Sequence, residues 1–471
     1  MPLITDRDKC AHLLRRFGLG ASEAELDFYL RDGLNGAIDR LVEYKQTDEG
    51  FPLNLEMLKS GQNMRVNMPA VVLWWASRLI MTQRPLQEKM TLFWHDHFAT
   101  SASKVNAPLM MASQNELLRE NATGSFRTLL TEVSKDPAML FWLDNQENAA
   151  GKPNENFARE VMELFTLGIG NYSETDVKEA ARAFTGWSFR RLGAAQAAET
   201  GRQAEFIYRA ARHDRGPKTV LSKQGNFNGD ELLTMLCDHP RTSEYLTEKI
   251  WEWFVYPKPD KAVIARYAKV FRDSNLDIAT LLKSIMRSSE FYSDKAERAI
   301  VKNPVDFCIA TMRQLGVGSQ MAQRLGAAAG PAVRGAMAPA ASAQNSMKSM
   351  GMWLFYPPDV AGWEGGQTWI SSATMVERMG WGDRLFGTQQ GQRFALRMPA
   401  APLFAEDRSA EGIVKKLLSV FDAPVAADKQ AALVAAATKA LAAQNPGPLA
   451  ANAAAATVSK LIFATPEFQF A

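Results

Sequence analysis

Apolar residues recur at spacings of three and four along most of this chain, and that period limits its fold more than any other feature of the sequence. Residues 12–43, 68–80 and 229–316 all show it, which is typical of helices with one buried face. A parallel sheet is excluded because the strands that it needs are missing from the pattern. The sequence therefore predicts a mainly α-helical fold, built as a single large domain over residues 1–471.

An alternating pattern typical of strands occurs in one stretch, residues 204–227. Residues 206–208 and 219–221 are short apolar runs, and the turn-forming Gly216 and Pro217 lie between them. We therefore expect one small β-hairpin, inserted into the helical domain, in which the two runs pair.

A tract rich in Ala and Gly, residues 323–345, has little periodic apolar content. Such a composition is typical either of a flexible insertion or of a poorly packed helix of small residues. Both alternatives stay open, and neither favours a functional site in this tract.

Residues 151–187 hold more polar, turn-forming and helix-capping groups than any other part of the chain. One helix is predicted to start at Asn154 or Asn156, and a second at Ser173, which can form a capping box with Asp176. The polar face of the first helix is either a functional wall or a solvated ladder of charges. The expected apolar face is Phe157, Val161, Leu164 and Gly168, and the expected polar face is Glu155, Arg159, Glu163 and Thr166.

The sequence RPLQEKMTLFWHDHFAT predicts a helix with Pro85 in its first turn and with three titratable residues near its end, His95, Asp96 and His97. Residues two apart on a helix point about 200° from each other, so the two histidines cannot share one metal ion. His97 continues the apolar stripe and is expected in the core. His95 lies on the face of Glu88, and is either an acid/base group or a second core histidine.

Two polar turns complete the candidate segments. In residues 213–218, His213, Asp214 and Lys218 offer groups of different pKa, as a proton-transfer or anion-binding loop requires. The alternative for this turn is a plain exposed loop. Residues 357–372 form an irregular loop, because they contain several Pro and Gly, and this loop carries Asp359 and Trp363.

Four segments are expected to converge on one cleft, namely the FWHDHF helix end (93–98), the PNEN helix start (153–156), the HDRG turn (213–216) and the PPDVAGW loop (357–363). Each of them joins polar groups to a turn or a helix end. The candidate catalytic residues are His95 and His213 as acid/base groups, with Glu155 and Glu160 as carboxylates that orient them or bind a cation. The candidate substrate-binding residues are Arg159, Lys218, Asn154, Asn156, Asp214 and Asp359, together with Trp187 and Trp363 as stacking side chains.

Composition and motifs exclude several classes of function. The net charge is +3 and no run of Lys and Arg mixes with aromatic residues, which argues against a nucleic-acid partner. The three cysteines have no C-x-x-C spacing, which excludes a disulfide framework and a cysteine zinc site. No nucleophile elbow, Walker loop, H-E-x-x-H helix or Rossmann fingerprint is present, so the sequence specifies neither a known mechanism nor a cofactor.

The location expected from the sequence is the cytoplasm. The N-terminus lacks a charged region followed by an apolar segment, as a secretory leader would have. No apolar run reaches the ~20 residues that a transmembrane helix needs.

Long motifs run through the chain, namely HLLRRFGLGAS, RPLQEKMTLFWHDHFAT, PNENFAREVMELFTLGIGNYSETDVKEAARAFTGW, HDRGPKTVL, KNPVDF, YPPDVAGW and TWISSATMVERM. Together they resemble the bacterial domain-of-unknown-function 1800 (DUF1800) family over residues 12–470. The resemblance implies a mostly helical protein without an established activity, with a sulfatase-like companion of the domain-of-unknown-function 1501 family as partner. Because many members of that family are exported, the resemblance also implies export if a leader has been removed. It supplies no catalytic residues.

Two classes of function remain open. The first is a hydrolase or transferase that acts by acid/base catalysis on a glycan or another polyhydroxylated envelope polymer. The second is a non-catalytic binding or accessory protein that works with the sulfatase-like partner. Aromatic and polar loops favour a ligand in either case.

Overall fold

The computed structural model describes residues 3–59, 65–328, 330, 332–387, 396, 398–400, 402–445 and 447–471. Helices take up 63% of the residues and strands 5%, so the predicted mainly α-helical class is confirmed. Among the described residues, no helix combines the length and the apolar character that crossing a membrane requires.

Most helices begin with a capping side chain or with Pro in the first turn, and they are short. Up to residue 200 the α-helices are α1 (Asp6–Arg16), α2 (Glu23–Leu30), α3 (Gly33–Val42), α4 (Met68–Met81), α5 (Pro85–His97), α6 (Ala102–Val105), α7 (Pro108–Glu120), α8 (Phe126–Lys135), α9 (Pro137–Trp142), α10 (Glu155–Glu160), α11 (Glu174–Ala183) and α12 (Ala194–Thr200). A π-helix, Val161–Leu167, continues α10 directly.

The second half of the chain is helical as well. Its α-helices are α13 (Gly229–Asp238), α14 (Pro240–Phe254), α15 (Lys261–Asp273), α16 (Ile278–Met286), α17 (Pro304–Gln314), α18 (Val317–Gly326), α19 (Ala332–Ala336), α20 (Ala338–Ser349), α21 (Ser372–Phe386), α22 (Ala410–Val420), α23 (Ala427–Ala442), α24 (Pro448–Ala464) and α25 (Pro466–Gln469). Short 3-10 helices are Tyr44–Gln46, Leu55–Leu58, Asn145–Glu147, Ala210–Arg212 and Gly366–Trp369.

The helix starts that the sequence predicted are confirmed. The Ser173 side chain accepts from the N–H of Asp176 and the Asp176 carboxylate accepts from the N–H of Ser173, which is the capping box of α11. Asn154 is the N-cap of α10, and its side chain accepts from the N–H of Asn156. Pro85 opens α5 in its first turn.

The helices pack around two apolar cores. The first core surrounds Trp251 and is built mainly from α1–α3, α8–α11 and α13–α16. The second core surrounds Trp381 and is built mainly from α4, α7 and α17–α24. Helix α5 belongs to both, because Phe93 packs in the first core and Leu92 in the second. The end of α5 therefore lies where the two cores meet.

The strands form two separate antiparallel pairs, so the predicted pairing of residues 206–208 with residues 219–221 is wrong. Strand β1 (Trp187–Arg191) pairs with β2 (Ala204–Tyr208), and β3 (Lys218–Val220) pairs with β4 (Lys223–Gly225). Leu221 and Ser222 join β3 to β4 with φ angles of 49° and 65°. Two-residue turns of this kind usually contain Asn and Gly. Because this turn contains Leu and Ser instead, the sequence did not predict it.

The Ala- and Gly-rich tract is helical where the structure describes it. Helices α18, α19 and α20 cover most of residues 323–345, and residues 329 and 331 lie outside the described part. Ala340 and Ala343 of α20 are fully buried, and α20 packs against α4. Of the two alternatives left open, the helix of small residues describes this tract. Because α20 packs against α4 with buried alanines, this helix is not poorly packed as expected. Its status as an insertion stays a prediction.

Candidate functional site

Helix α5 is buried on every side, although its sequence predicted a single apolar stripe. Of its thirteen residues, Asp96 alone is not buried. The face that carries Glu88 and His95 is covered by α4 and by residues 354–363, which approach the end of α5. The end of α5 is thus a place where polar groups are held in an apolar surrounding, which shifts their pKa values.

His95 holds the loop that follows α20. Its Nε2 accepts a hydrogen bond from the N–H of Phe355 at 3.2 Å, and its ring lies 5.7 Å from that of Trp363. The side chain is 1% exposed, and burial lowers its pKa to about 3. His95 is therefore a neutral acceptor near neutral pH. The acid/base role of His95 stays a prediction.

His97 points into the first core, as the apolar stripe predicted. Its Nε2 lies 3.2 Å from the carbonyl oxygen of Phe165. Its Nδ1 is buried and has no hydrogen-bond partner among the described residues. Burial, and then the charge of Lys249, lower the pKa of His97 well below its usual value, so this ring is neutral as well.

Asp96 lies between the two histidines and reaches the surface. Its Oδ1 accepts from the N–H of Trp363 at 2.8 Å. Gly362, with a φ angle of 89°, packs directly on the carboxyl group, where a Cβ would lie 2.4 Å from Oδ1. Its Oδ2 makes no hydrogen bond within the described part of the chain. One oxygen is thus fixed, and the other is free to meet a ligand.

Burial of Asp96 brings its pKa closer to neutral pH. Burial raises the pKa of Asp96 to about 6, against the opposing effects of the Trp363 N–H and of the positive charge of Lys249. Burial also lowers the pKa of Lys249, which the charge of Asp96 opposes. The Lys249 amine lies 5.5 Å from the centre of the Tyr245 ring. We call Asp96, Lys249, Tyr245 and Trp363 the Asp96 site.

The π-helix borders this site on the α14 side. The Tyr245 hydroxyl donates to the carbonyl oxygen of Leu164 at 3.1 Å, and the Thr166 hydroxyl donates to the carbonyl oxygen of Val161 at 2.7 Å. Thr166 is buried, so its predicted place on the polar face is wrong, whereas Leu164 is half-buried against the first core and Gly168 is buried. π-turns of this kind occur often at functional sites.

The charged residues of α10 separate into two kinds. Arg159 donates to both oxygens of Glu174 at 2.8 and 2.7 Å and to Glu155 at 3.4 Å, which is a surface ion-pair ladder. Burial, and then the charge of Glu163, raise the pKa of Glu160. The ladder alternative therefore describes Glu155 and Arg159, whereas Glu160 is half-buried beside the π-helix.

The two predicted asparagines bind the backbone. The Asn154 side-chain amide donates to the carbonyl oxygen of Asp144 at 3.2 Å, and that of Asn156 donates to the carbonyl oxygen of Leu143 at 3.2 Å. These bonds fix the start of α10 against the end of α9.

The turn at residues 213–218 is held by its own polar groups. His213 Nδ1 lies 3.0 Å from the carbonyl oxygen of Thr185, and Asp214 forms an ion pair with Arg182 at 2.7 Å. The Lys218 amine is buried and donates to the carbonyl oxygens of Asp214 and Gly216 at 2.6 and 3.0 Å. Burial lowers the pKa of Lys218. These contacts shape the turn, and a substrate role for its residues stays a prediction.

The remaining predicted residues differ in exposure. Trp187 is 3% exposed and packs edge-on against Phe184 and Phe206, so it is a core residue here. Asp359 is exposed and accepts from the N–H of Ala361 at 2.8 Å. Trp363 is 8% exposed beside His95.

Direct hydrogen bonds join the four predicted segments in two groups. The end of α5 meets residues 355–363, as described above. The start of α10 meets the 213–218 turn through residues 144–152, since Ala150 donates to the carbonyl oxygen of Arg212 at 2.8 Å. Helix α6 lies between the groups, with bonds from Ala102 to the Phe355 carbonyl oxygen and from Lys104 to Asp144. A single cleft lined by all four segments stays a prediction.

Sequence reasoning missed Asp96 and Lys249 as site residues. Asp96 stands out only as the acidic residue between two histidines. Lys249 carries a clearer signal, because a lysine inside the apolar stretch YLTEKIWEWFV has to be buried in part.

Comparisons with known proteins return one match. Residues 12–470 match the model of a family described as "Protein of unknown function (DUF1800)". No curated protein and no solved structure matches the chain.

Proposed function

Because the chain belongs to the DUF1800 family, whose description assigns no activity, we propose a function from the Asp96 site itself. The protein is an acid/base enzyme, a hydrolase or transferase, in which Asp96 gives and takes the proton. The observation that carries this proposal is the Asp96 carboxyl group, with one oxygen fixed on Trp363, the other unbonded, and a pKa of about 6.

A general acid or base works best when its pKa lies near the pH of the reaction. An ordinary exposed aspartate is fully ionised at neutral pH and has little tendency to hold a proton. The pKa of Asp96 is about two units higher than that of an ordinary aspartate, because burial disfavours the charged form. The positive charge of Lys249 stabilises the carboxylate once the proton has left. Asp96 is therefore suited to both directions of transfer.

The substrate class that we propose is a glycan or another polyhydroxylated polymer. Two aromatic residues belong to this site: Trp363, whose backbone N–H bonds the carboxyl group, and Tyr245, whose ring lies 5.5 Å from the Lys249 amine. Such rings provide an apolar face for a sugar ring, while Asp96 and Lys249 supply polar contacts for hydroxyl groups. Glu160, whose pKa is raised, lies beside the π-helix as a second carboxyl group.

The test is turnover by the purified protein on a panel of chromogenic glycosides, esters and phosphates, with and without divalent metal ions. For any substrate that turns over, Asp96→Asn should lower kcat by about 100-fold or more, since a positioned acid or base contributes about that much. Glu364→Gln, which changes an exposed carboxylate on the adjacent loop, is the matched control and should leave kcat unchanged. The kcat of the wild type should change around pH 6.

Two results would contradict the proposal. Turnover that survives Asp96→Asn would place the chemistry elsewhere. A ligand that raises Tm without any turnover would favour the other class of function, a binding or accessory protein. The sulfatase-like partner remains a proposal, and co-purification with such a companion would test it.

A further inference from the structure

A cavity with a volume of about 290 Å³ lies away from the Asp96 site. It is bordered by α2, by the end of α4 and by the junction between α17 and α18, and it is open to solvent on one side. Its volume is close to the lower end of the range of small-molecule sites, about 300 to 1,000 Å³. The cavity is therefore large enough for a small ligand rather than for a few water molecules.

The charged acceptor at this cavity, the Glu25 carboxylate, is already in use. Glu25 forms an ion pair with Arg313 through Oε1, and its Oε2 accepts from the N–H and the hydroxyl of Ser22 at 2.9 and 3.1 Å. Arg313 also donates to the carbonyl oxygens of Ile80 and Thr82 at 3.2 and 2.9 Å. Glu25 and Arg313 are the charged residues that line the cavity, and as a pair they are neutral.

Two sets of donors at this cavity have no partner among the described residues. The Tyr29 side chain is 6% exposed and lines the cavity, and its hydroxyl makes no hydrogen bond to any described residue. The charges of Arg313 and Glu25, which line the same cavity, act on this hydroxyl. Burial raises the pKa of Tyr29, so the hydroxyl keeps its proton. It is therefore a donor at the cavity that has no acceptor among the described residues.

A second set of donors comes from the first turn of α18. Its N-cap is Gly316, which has no side chain to accept from the helix, and Gly318 and Ser319 line the cavity. Within the described chain, no acceptor is bonded to the N–H groups of Gly318 and Ser319 or to the Ser319 hydroxyl. Free N–H groups at a helix start carry a partial positive charge and attract anions.

From this excess of donors, we propose that the cavity binds a small molecule through an oxyanion, a phosphate or carboxylate group, held by the Tyr29 hydroxyl and by the start of α18. The oxyanion accepts from Tyr29 and from the N–H groups and hydroxyl of residues 318–319. The apolar part of the ligand packs against Phe28 and Met81, which line the same cavity. This site is separate from the Asp96 site and does not depend on the proposed activity.

Calorimetric titration of the full chain with inorganic phosphate and with acetate tests the proposal. One of the two ions should bind saturably with a Kd below about 10 mM and should raise Tm. Tyr29→Phe and Ser319→Ala should each weaken binding about tenfold, because each removes one donor to a charged acceptor. The matched controls are Tyr208→Phe and Ser289→Ala, which change exposed residues elsewhere and should leave Kd unchanged.

The Kd values of the two ions distinguish the sources of the oxyanion. Tighter binding of phosphate indicates a phosphate ester as the ligand, and tighter binding of acetate indicates a carboxylic acid. The unliganded Tm of each variant shows that it is folded. Saturation by neither ion would overturn the proposal. So would equal Kd values in the two cavity variants and in the controls.

Discussion

Replacing Asp96 by Asn should make the protein more stable at neutral pH. The change keeps a carbonyl oxygen that can accept from Trp363, and removes the charge. Burial raises the pKa of Asp96 from 3.8 to about 6. As pH rises from about 4 to 6, the unfolded chain loses this proton while the folded protein retains it. The free energy of unfolding of the wild type therefore falls through this window and stays lower above it.

The size of this effect follows from the shift. About two pKa units at 1.36 kcal/mol each give about 3 kcal/mol, and solvent screening of a half-buried group lowers this to about 2 kcal/mol. With an unfolding entropy of ~2.1 cal/mol/K per residue, 471 residues correspond to about 1 kcal/mol per degree of Tm. Asp96→Asn should therefore melt about 2 to 3 °C above the wild type at neutral pH.

Differential scanning fluorimetry across pH measures the effect. The difference in Tm between Asp96→Asn and the wild type should be near zero at about pH 4, grow up to about pH 6, and then stay constant. Asp359→Asn is the control on the exposed loop, and its curve should follow that of the wild type. Parallel curves for Asp96→Asn and the wild type would refute the raised pKa. Asp96→Asn should also lose turnover. A variant that is more stable and less active than the wild type would indicate that the carboxyl group is kept for function rather than for stability.

Two further predictions concern the surroundings of this site. Glu88→Gln should lower the free energy of unfolding by about 3 kcal/mol in denaturant titrations, because it removes the buried one of the two carboxylates that pair with Arg119 and leaves only Glu116; a loss below about 1 kcal/mol would contradict this. Gly362→Ala should push residues 355–363 off the end of α5, so that hydrogen exchange at the Trp363 amide becomes faster. Gly365→Ala, where a Cβ meets no atom within 4 Å, should leave that exchange unchanged, and equal rates in both variants would refute the argument.

Local signals in the sequence predicted most of the fold. The capping residues Asn154 and Ser173 start the helices that were expected, and the apolar run at residues 68–81 is helix α4. These features depend on chemistry within a few residues, so a single sequence contains them. The strand pairing failed, because β2 found its partner in β1 rather than across the 213–218 turn. Partner choice between short strands depends on tertiary packing, which periodicity does not record.

The candidate site was only partly predictable for the same reason. The sequence indicated the FWHDHF helix end and the PPDVAGW loop, and the structure joins them through His95 and Asp96. It did not single out Asp96, because the pKa of that carboxyl group is raised by burial under residues such as Gly362, and is lowered in part by Trp363 and Lys249, all of which lie far away along the chain. The π-helix was also hidden, since the residues of 161–167 fit a regular helix equally well.

Helix α5 has a consequence for how this protein can vary. It has no side that faces only solvent, and it supplies side chains to both cores. A substitution in α5 therefore has to pack against neighbours in both cores, so few of its positions tolerate a change of residue. A protease cut or a fragment boundary within α5 would also open both cores together. The polypeptide cannot be divided there into two pieces that each keep a closed interior.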